Sequence, residues 1–233
     1  MHLINIDYGE EIDFLDEDLV LRNAAYCNIS CGYHAGDALS IRKSIVACLR
    51  HGIKIGAHPS YQDKVNFGRV NTAASPSELY YQLIHQLAGF SGIAQELNAE
   101  VFHVKAHGAL YNHIMSDPHV AQVFLDASLK IFPNAKIFLM PGTLMEEICL
   151  SRGIAFLREG FGDRRYQNST KLLPRAVPGA VIQDLSQIKE QFDDLRSGFV
   201  DTIDKGRVQL AIDTICYHGD NPAINQILIS LEA

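Results

Sequence analysis

Histidine sits inside four short polar clusters of this chain, and each cluster ends an apolar run. They are Asn28–Asp37 (NISCGYHAGD), His58–Asp63 (HPSYQD), Lys105–Asn112 (KAHGALYN) and His218–Asn221 (HGDN). A further polar group, Asp7–Glu10 (DYGE), closes the first apolar run. Carboxylates and imidazoles gathered in this way can move protons, orient water or hold a metal. Asp7 stands at a strand end, where it could orient a histidine, ligate a metal or act as general base. Glu10 could share that work or serve a turn. His34 lies between Gly32 and Gly36, which let the backbone turn tightly and approach a ligand.

His58, just before Pro59, falls where a strand becomes a loop, and Lys105 and His107 hold the equivalent place one strand later. Strand alternation points Lys105 to the same side as Val101 and His103. A lysine inside a barrel needs a carboxylate or an anionic ligand, because an unpaired buried charge is costly. Asn28, Asp63, Tyr111, Asn112, His218 and Asp220 are the substrate-facing candidates of the same clusters. Asp37 is another, or it caps the helix that follows. Arg69, Arg164 beside Asp163, and Arg175 supply guanidinium groups, which bind carboxylates and phosphates bidentately.

Asp7, His58 and His107 could together hold a divalent metal with an open position for water. No HxH or HExxH spacing fixes them as a set, so a metal stays an open possibility. His2, His51, His85, His113 and His119 are explained by helix or surface placement. The chain lacks a GxxxxGK[ST] loop, a GxGxxG turn and a Gly-x-Ser-x-Gly elbow, so it should not bind a nucleotide in either familiar way. No cysteine has a positioned histidine neighbour.

The elements that must position these residues alternate between strand and helix. Strands are expected at Leu3–Asp7, Ala24–Ile29, Ile53–Ala57, Val101–Val104, Lys136–Met140, Ile154–Leu157 and Val208–Cys216. Ile41, Ile45, Cys48 and Leu49 recur at helical spacing, and Gly52 stops that helix. Ser75 to Glu78 (SPSE) is a capping box that opens a helix with Leu79, Leu83, Leu87 and Phe90 on one face. Asp117-Pro118 starts another, Thr143 to Glu146 (TLME) is a second capping box, and Asp184 to Gln187 opens a helix running through Leu195 and Phe199. Asn221-Pro222 starts the last.

Seven strands, most followed by a helix, fit parallel pairing with right-handed crossovers. Polar loops after so many strands favour an α/β fold of the TIM-like (β/α) barrel type, seven-stranded or irregular, over an open sheet with one switch point. The stretch from Glu159 to Val181 reads as irregular and should cross or lid the mouth. At 233 residues and 47% hydrophobic content, residues 1–233 can form a single domain. A formal charge of −7 without basic clusters argues against nucleic acid or an anionic membrane as partner. The start has no signal-peptide pattern, and no apolar stretch approaches the roughly 20 residues of a spanning helix. Five cysteines without a CxxC pair suit a reduced, cytoplasmic protein.

In this order the clusters resemble the LamB/YcsF family, the A subunits of bacterial ATP-dependent 5-oxoprolinase. The matching stretches are Asp7–Glu10, Asn28–Asp37, Gly56–Pro59, Phe67–Arg69, Lys105–Asn112, Gly160–Tyr166 with Arg175, and Cys216–Asp220. Ala106 stands where the family usually has proline, Val70 where it usually has a second arginine, and the opening stretch is less complete than the family's longer acidic motif, with Asn5 and Asp7 retained. The resemblance implies a barrel of the glycoside hydrolase/deacetylase type and the opening of 5-oxoproline to glutamate. It also implies that ATP is consumed by the complex and bound by partner subunits B and C.

On that basis the activated lactam would be hydrolysed here. Asp7 or Glu10 would act as base, and Lys105 and Arg69 would neutralise substrate charge. His34, His58 and His107 would serve the oxyanion or leaving group. A free-standing metal-dependent deacetylase-like hydrolase is the alternative. The third reading is a binding protein without catalysis of its own.

Overall fold

In a computed structural model that describes residues 3–232, each apolar run of the first half becomes a buried parallel strand. The barrel strands are β1 (Leu3–Tyr8), β2 (Tyr26–Ser30), β3 (Lys54–His58), β4 (Val101–Val104), β5 (Lys136–Leu139), β6 (Phe156–Phe161) and, after an excursion, β11 (Thr214–Tyr217). They close in the order β1-β11-β6-β5-β4-β3-β2, and every barrel pairing is parallel. The expected seven-stranded TIM-like barrel is therefore what forms. Because all seven strands run the same way, their carboxyl ends share one rim.

The helices pack outside. α1 is Glu17–Asn23, α2 Ala38–Arg50, α3 Pro76–Glu96, α4 Gly108–Ile114, α5 Pro118–Ile131, α6 Leu144–Arg152, α7 Leu185–Arg196 and α8 Ile224–Leu231. α3 follows its sequence pattern closely: Leu79, Leu83, Leu87 and Phe90 are buried, and Ser75 with Glu78 makes the reciprocal cap. α2 buries Ile41, Ile45 and Cys48, but Leu49 is exposed. The box expected at Thr143 and Glu146 does not form. The Thr143 hydroxyl donates to the Met140 carbonyl instead (2.7 Å), and Glu146 accepts from the Gly142 amide (2.6 Å). α1 and α4 were not evident from periodicity, each being seven residues long. The last helix begins at Ile224 rather than Asn221-Pro222.

Between β6 and β11 the chain builds a second sheet from β7 (Tyr166–Asn168), β8 (Lys171–Leu172), β9 (Phe199–Thr202) and β10 (Gly206–Gln209), in the order β10-β9-β7-β8. Three expectations change here. The segment from Glu159 to Val181 is not wholly irregular, since it carries the end of β6 and the β7–β8 hairpin, though it does reach over the mouth. α7 stops at Arg196 because Gly198 adopts φ +82°, and Phe199 belongs to β9. The single strand expected over Val208–Cys216 is two strands in different sheets. Asp213 breaks it: its amide donates to the Arg158 carbonyl (2.7 Å) and its carboxylate accepts from the Arg158 amide (2.8 Å), which sets the barrel register from Thr214 onward.

All five cysteines are free and buried. No helix among the described residues is long and apolar enough to cross a membrane.

Candidate active site

The shared rim surrounds a cavity of about 920 Å³, lined among others by Asp7, His58, Lys105, His107, Arg69 and His218. Its floor is charged. Lys105 is buried just past β4, and its ammonium donates to Asn5 Oδ1 (3.2 Å), Asp7 Oδ1 (3.1 Å) and Cys216 Sγ (3.0 Å). Glu159 of β6 approaches from the other side, with Oε2 3.2 Å away. The carboxylate that a buried lysine requires is thus present twice. Burial alone would push Lys105 toward its neutral form, but Asp7, Cys216 and Glu159 hold its pKa well above the usual value. For Asp7 burial acts upward, and Lys105 and His58 overcome it, keeping the carboxyl well below the ordinary range.

Asn28 fixes Asp7 laterally, donating to Asp7 Oδ1 (2.8 Å) and to Asn5 Oδ1 (2.8 Å), while its own oxygen accepts from His103 Nε2 (2.7 Å). The His103 ring lies against Gly56, where any side chain would collide with it. Sequence reasoning gave Glu159, Asn5, His103 and Cys216 no place in the site. His103 and Asn5 could have been found from strand alternation, since they share a face with Lys105 and Asp7 respectively.

Above this floor stand three imidazoles. His58 Nδ1 donates to the Lys105 carbonyl (2.8 Å) and His107 Nε2 to the Phe67 carbonyl (2.9 Å). Their other nitrogens, His58 Nε2 and His107 Nδ1, are 3.0 Å apart in hydrogen-bonding geometry. Asp7 Oδ2 lies 3.4 Å from His58 Nε2. His34 Nε2 meets Glu10 Oε1 at 3.0 Å, and that oxygen is 3.5 Å from His107 Nδ1. Burial and then the Asp7 charge raise the Glu10 carboxyl well above its usual pKa. Burial and the neighbouring imidazole of His58 lower that of His34. Phe67 (φ +55°) and Gly68 (φ +65°) form the strained loop that delivers the Phe67 carbonyl, and a Cβ on Gly68 would press on His107 and His34.

Glu10, His34, His58 and His107 offer donor atoms within 4.8 Å of one another, a group that by proximity could take a metal ion. It differs from the expected set, because Asp7 groups instead with Cys216 and His218. Ring orientation opposes an ion shared by all four. His34 and His107 are stacked, with centroids 3.8 Å apart and planes at 1°. One ion cannot lie in both parallel planes, where the nitrogen lone pairs point. The facing nitrogens of His58 and His107 are arranged for each other, not for a common centre.

Arginines form the outer wall. Arg69 bonds Asp220, and Arg175 reaches both oxygens of the same carboxylate at 3.2 and 3.3 Å. Arg164 is buried and donates to the carbonyls of Ala180 (3.3 Å) and Leu173 (2.8 Å), and burial and nearby Arg175 bring its pKa down to about 10. Asp163, fully buried, accepts from the backbone amide (3.2 Å) and Nδ1 (2.8 Å) of His218 and from Asn221 Nδ2 (3.1 Å). It holds His218 and does not line the cavity.

The structure reassigns two other sequence candidates. Asp37 is exposed and caps α2, accepting from the Leu39 (2.8 Å) and Ser40 (2.9 Å) amides. Asp63 holds the 63–69 loop through the Asn66 amide (3.0 Å) and side chain (2.9 Å). Tyr111 and Asn112 do line the cavity, and Tyr111 is buried. Of the histidines assigned no role, His51, His85, His113 and His119 lie on or at the ends of helices, and His2 lies outside the described residues.

The profile of the LamB/YcsF family matches residues 3–232. The A subunit of 5-oxoprolinase from Bordetella pertussis is 35% identical over 94% of this chain and 88% of its own length. Its counterpart from Pyrococcus furiosus is 32% identical over 96% of this chain and 89% of its own. The crystal structure of a lactam utilization protein from Thermus thermophilus superposes with a TM-score of 0.87 at 30% identity, covering 99% of this chain and 96% of that one.

Proposed function

The chain belongs to the LamB/YcsF family, and from that premise we propose that it is the A subunit of an ATP-dependent 5-oxoprolinase, a hydrolase opening the ring of 5-oxoproline to glutamate. The observation that carries this reading is the convergence of Asp7, Lys105, His58 and His107 on one cavity whose outer wall is arginine. An unstrained lactam is a poor electrophile. Partner subunits B and C would consume ATP to place a phosphoryl group on the ring oxygen, in keeping with the absence of both familiar nucleotide loops from this sequence. The reaction would run in the cytoplasm, on one barrel domain spanning residues 1–233.

Within the cavity, Lys105 and the rim arginines Arg69 and Arg175 neutralise the substrate carboxylate and the phosphoryl group. Asp7 faces the cavity and stays ionised, so it orients water toward the ring carbonyl carbon, whereas Glu10 does not line the cavity and supports His34 and His107. His58 and His107 face the ring nitrogen. A positioned proton donor or acceptor of this kind is worth about 10²–10⁴-fold in rate. The test is glutamate release from 5-oxoproline, measured with this chain alone and with the B and C subunits. Glutamate formed only with ATP and all three subunits supports the reading. ATP hydrolysis by the assembled subunits with no glutamate formed would refute it.

A further inference from the structure

We infer that the His58–His107 pair carries one proton more than two neutral imidazoles do, and that this proton goes to the ring nitrogen when the lactam opens. The first half follows from counting donors. A carbonyl oxygen can only accept, so His58 Nδ1, 2.8 Å from the Lys105 oxygen, carries hydrogen, and so does His107 Nε2, 2.9 Å from the Phe67 oxygen. A neutral imidazole has one hydrogen, and each ring has now used it. The two remaining nitrogens stand 3.0 Å apart, where two bare lone pairs would repel. A hydrogen bond between them takes a third hydrogen, so the four nitrogens share three.

The surroundings place that hydrogen. Asp7 Oδ2 lies 3.4 Å from His58 Nε2. The Asp7 charge is already shared with Lys105, whose ammonium is itself balanced a second time by Glu159. His107 is covered by the flat face of His34 and has Glu10 Oε1 at 3.5 Å. Burial, then His34 and His58, push the His107 imidazole well below its usual pKa. The imidazolium is therefore His58, with His107 as the neutral acceptor of its Nε2–H.

The second half rests on the proposed lactam hydrolysis. Water oxygen bonds the ring carbonyl carbon and gives a proton to Asp7. The carbon–nitrogen bond then breaks, its electron pair goes to nitrogen, and nitrogen takes the proton from His58. The added water's remaining hydroxyl proton goes to the amine, and the carbon is left as an acyl phosphate that a second water hydrolyses to glutamate and inorganic phosphate. The pair is left with two hydrogens on its carbonyl-facing nitrogens. Asp7, which Lys105 holds toward its ionised form, returns the water-derived proton across the 3.4 Å contact and restores the starting state.

Protein labelled with ¹⁵N at histidine reports the count directly. Near neutral pH, His58 should show hydrogen on both ring nitrogens and His107 only on Nε2, with assignments from His58→Gln and His107→Gln. Two singly protonated rings would overturn the count, as would about one tightly held divalent ion per chain whose removal by a chelator shifts these signals. In the assembled enzyme, His58→Gln should lower kcat by about 10²–10⁴-fold with KM little changed, and should remove the fall in rate that deprotonation of the pair causes on the alkaline side. An unchanged alkaline limb would overturn the role as donor. The spectrum needs no substrate, so a failed glutamate assay with a three-hydrogen spectrum would refute the activity and leave the count standing.

Discussion

Replacing Lys105 by methionine removes the one cation that lies between two buried carboxylates. The ammonium is 3.1 Å from Asp7 and 3.2 Å from Glu159, and all three side chains are at most 3% exposed. Breaking a buried pair by removing one partner costs about 3–5 kcal/mol, because the remaining charge keeps its desolvation penalty without its counterion. Here two charges are stranded, so Lys105→Met belongs at the upper end of that range. For a chain of this size each kcal/mol moves Tm by about 2–4 °C, giving a drop of roughly 10–20 °C. The variant should also be inactive. A cycle of Lys105→Met, Glu159→Gln and the double variant, followed by urea unfolding, separates the charge effect from lost packing. Glu159→Gln should destabilise the parent but recover about 1 kcal/mol or more in the Lys105→Met background, where it removes a stranded charge. The deficit of Lys105→Met should also shrink as pH falls. Without Lys105 the burial of Asp7 acts on its carboxyl without the ammonium that opposes it and raises the folded-state pKa, so the cost applies above the unfolded value and is relieved by protonation. If Glu159→Gln deepens the deficit, or if Lys105→Met loses less than about 1 kcal/mol, the ammonium is not the centre of this network.

Asp37→Ala should cost about 1 kcal/mol through loss of the α2 cap and leave glutamate release by the complex unchanged, measured by thermal unfolding and assay in parallel. Gly68→Ala places a side chain at φ +65° against His107 and His34, so stability should fall by about 1–3 kcal/mol and kcat should drop. Asp220→Asn tests the arginine wall. Burial raises its carboxyl, but Arg175 and Arg69 hold the pKa below the usual value, so its contribution is present above about pH 4 and lost as pH falls. The variant should therefore be less stable at neutral pH and show a flatter acid limb of urea midpoint against pH.

Much of the floor was legible in the sequence because strand parity and burial cost act locally. An inward lysine on a strand end demands a carboxylate, and Asp7 at the end of β1 could be named as one. Glu159 could not. Placing it required the true extent of β6, which runs four residues past the stretch ending at Leu157 that apolar character suggests. The error has one cause: β6 carries Arg158 and Glu159, whose partners Glu146 and Lys105 come from distant segments, so tertiary pairing keeps polar residues in a strand that composition would end. The same holds for Asp213, which divides an apolar stretch through its bonds to Arg158.

The proton count of the histidine pair lies further from the sequence still. Histidine identity and approximate position were readable from the clusters, yet the state of the pair depends on two backbone oxygens. One belongs to Lys105, where β4 gives way to loop, and the other to Phe67 in a left-handed turn closed by Gly68. Neither oxygen has a residue-type signature. Because carbonyls cannot donate, they dictate the tautomer of each ring, and the ring-to-ring distance dictates the third hydrogen. Shifting the Phe67 carbonyl away from His107 would free Nε2 to act as acceptor, and the pair could then be neutral. Gly68→Ala should thus change the ¹⁵N pattern of His107 as well as the rate, and a variant that lost activity with that pattern intact would separate loop geometry from protonation.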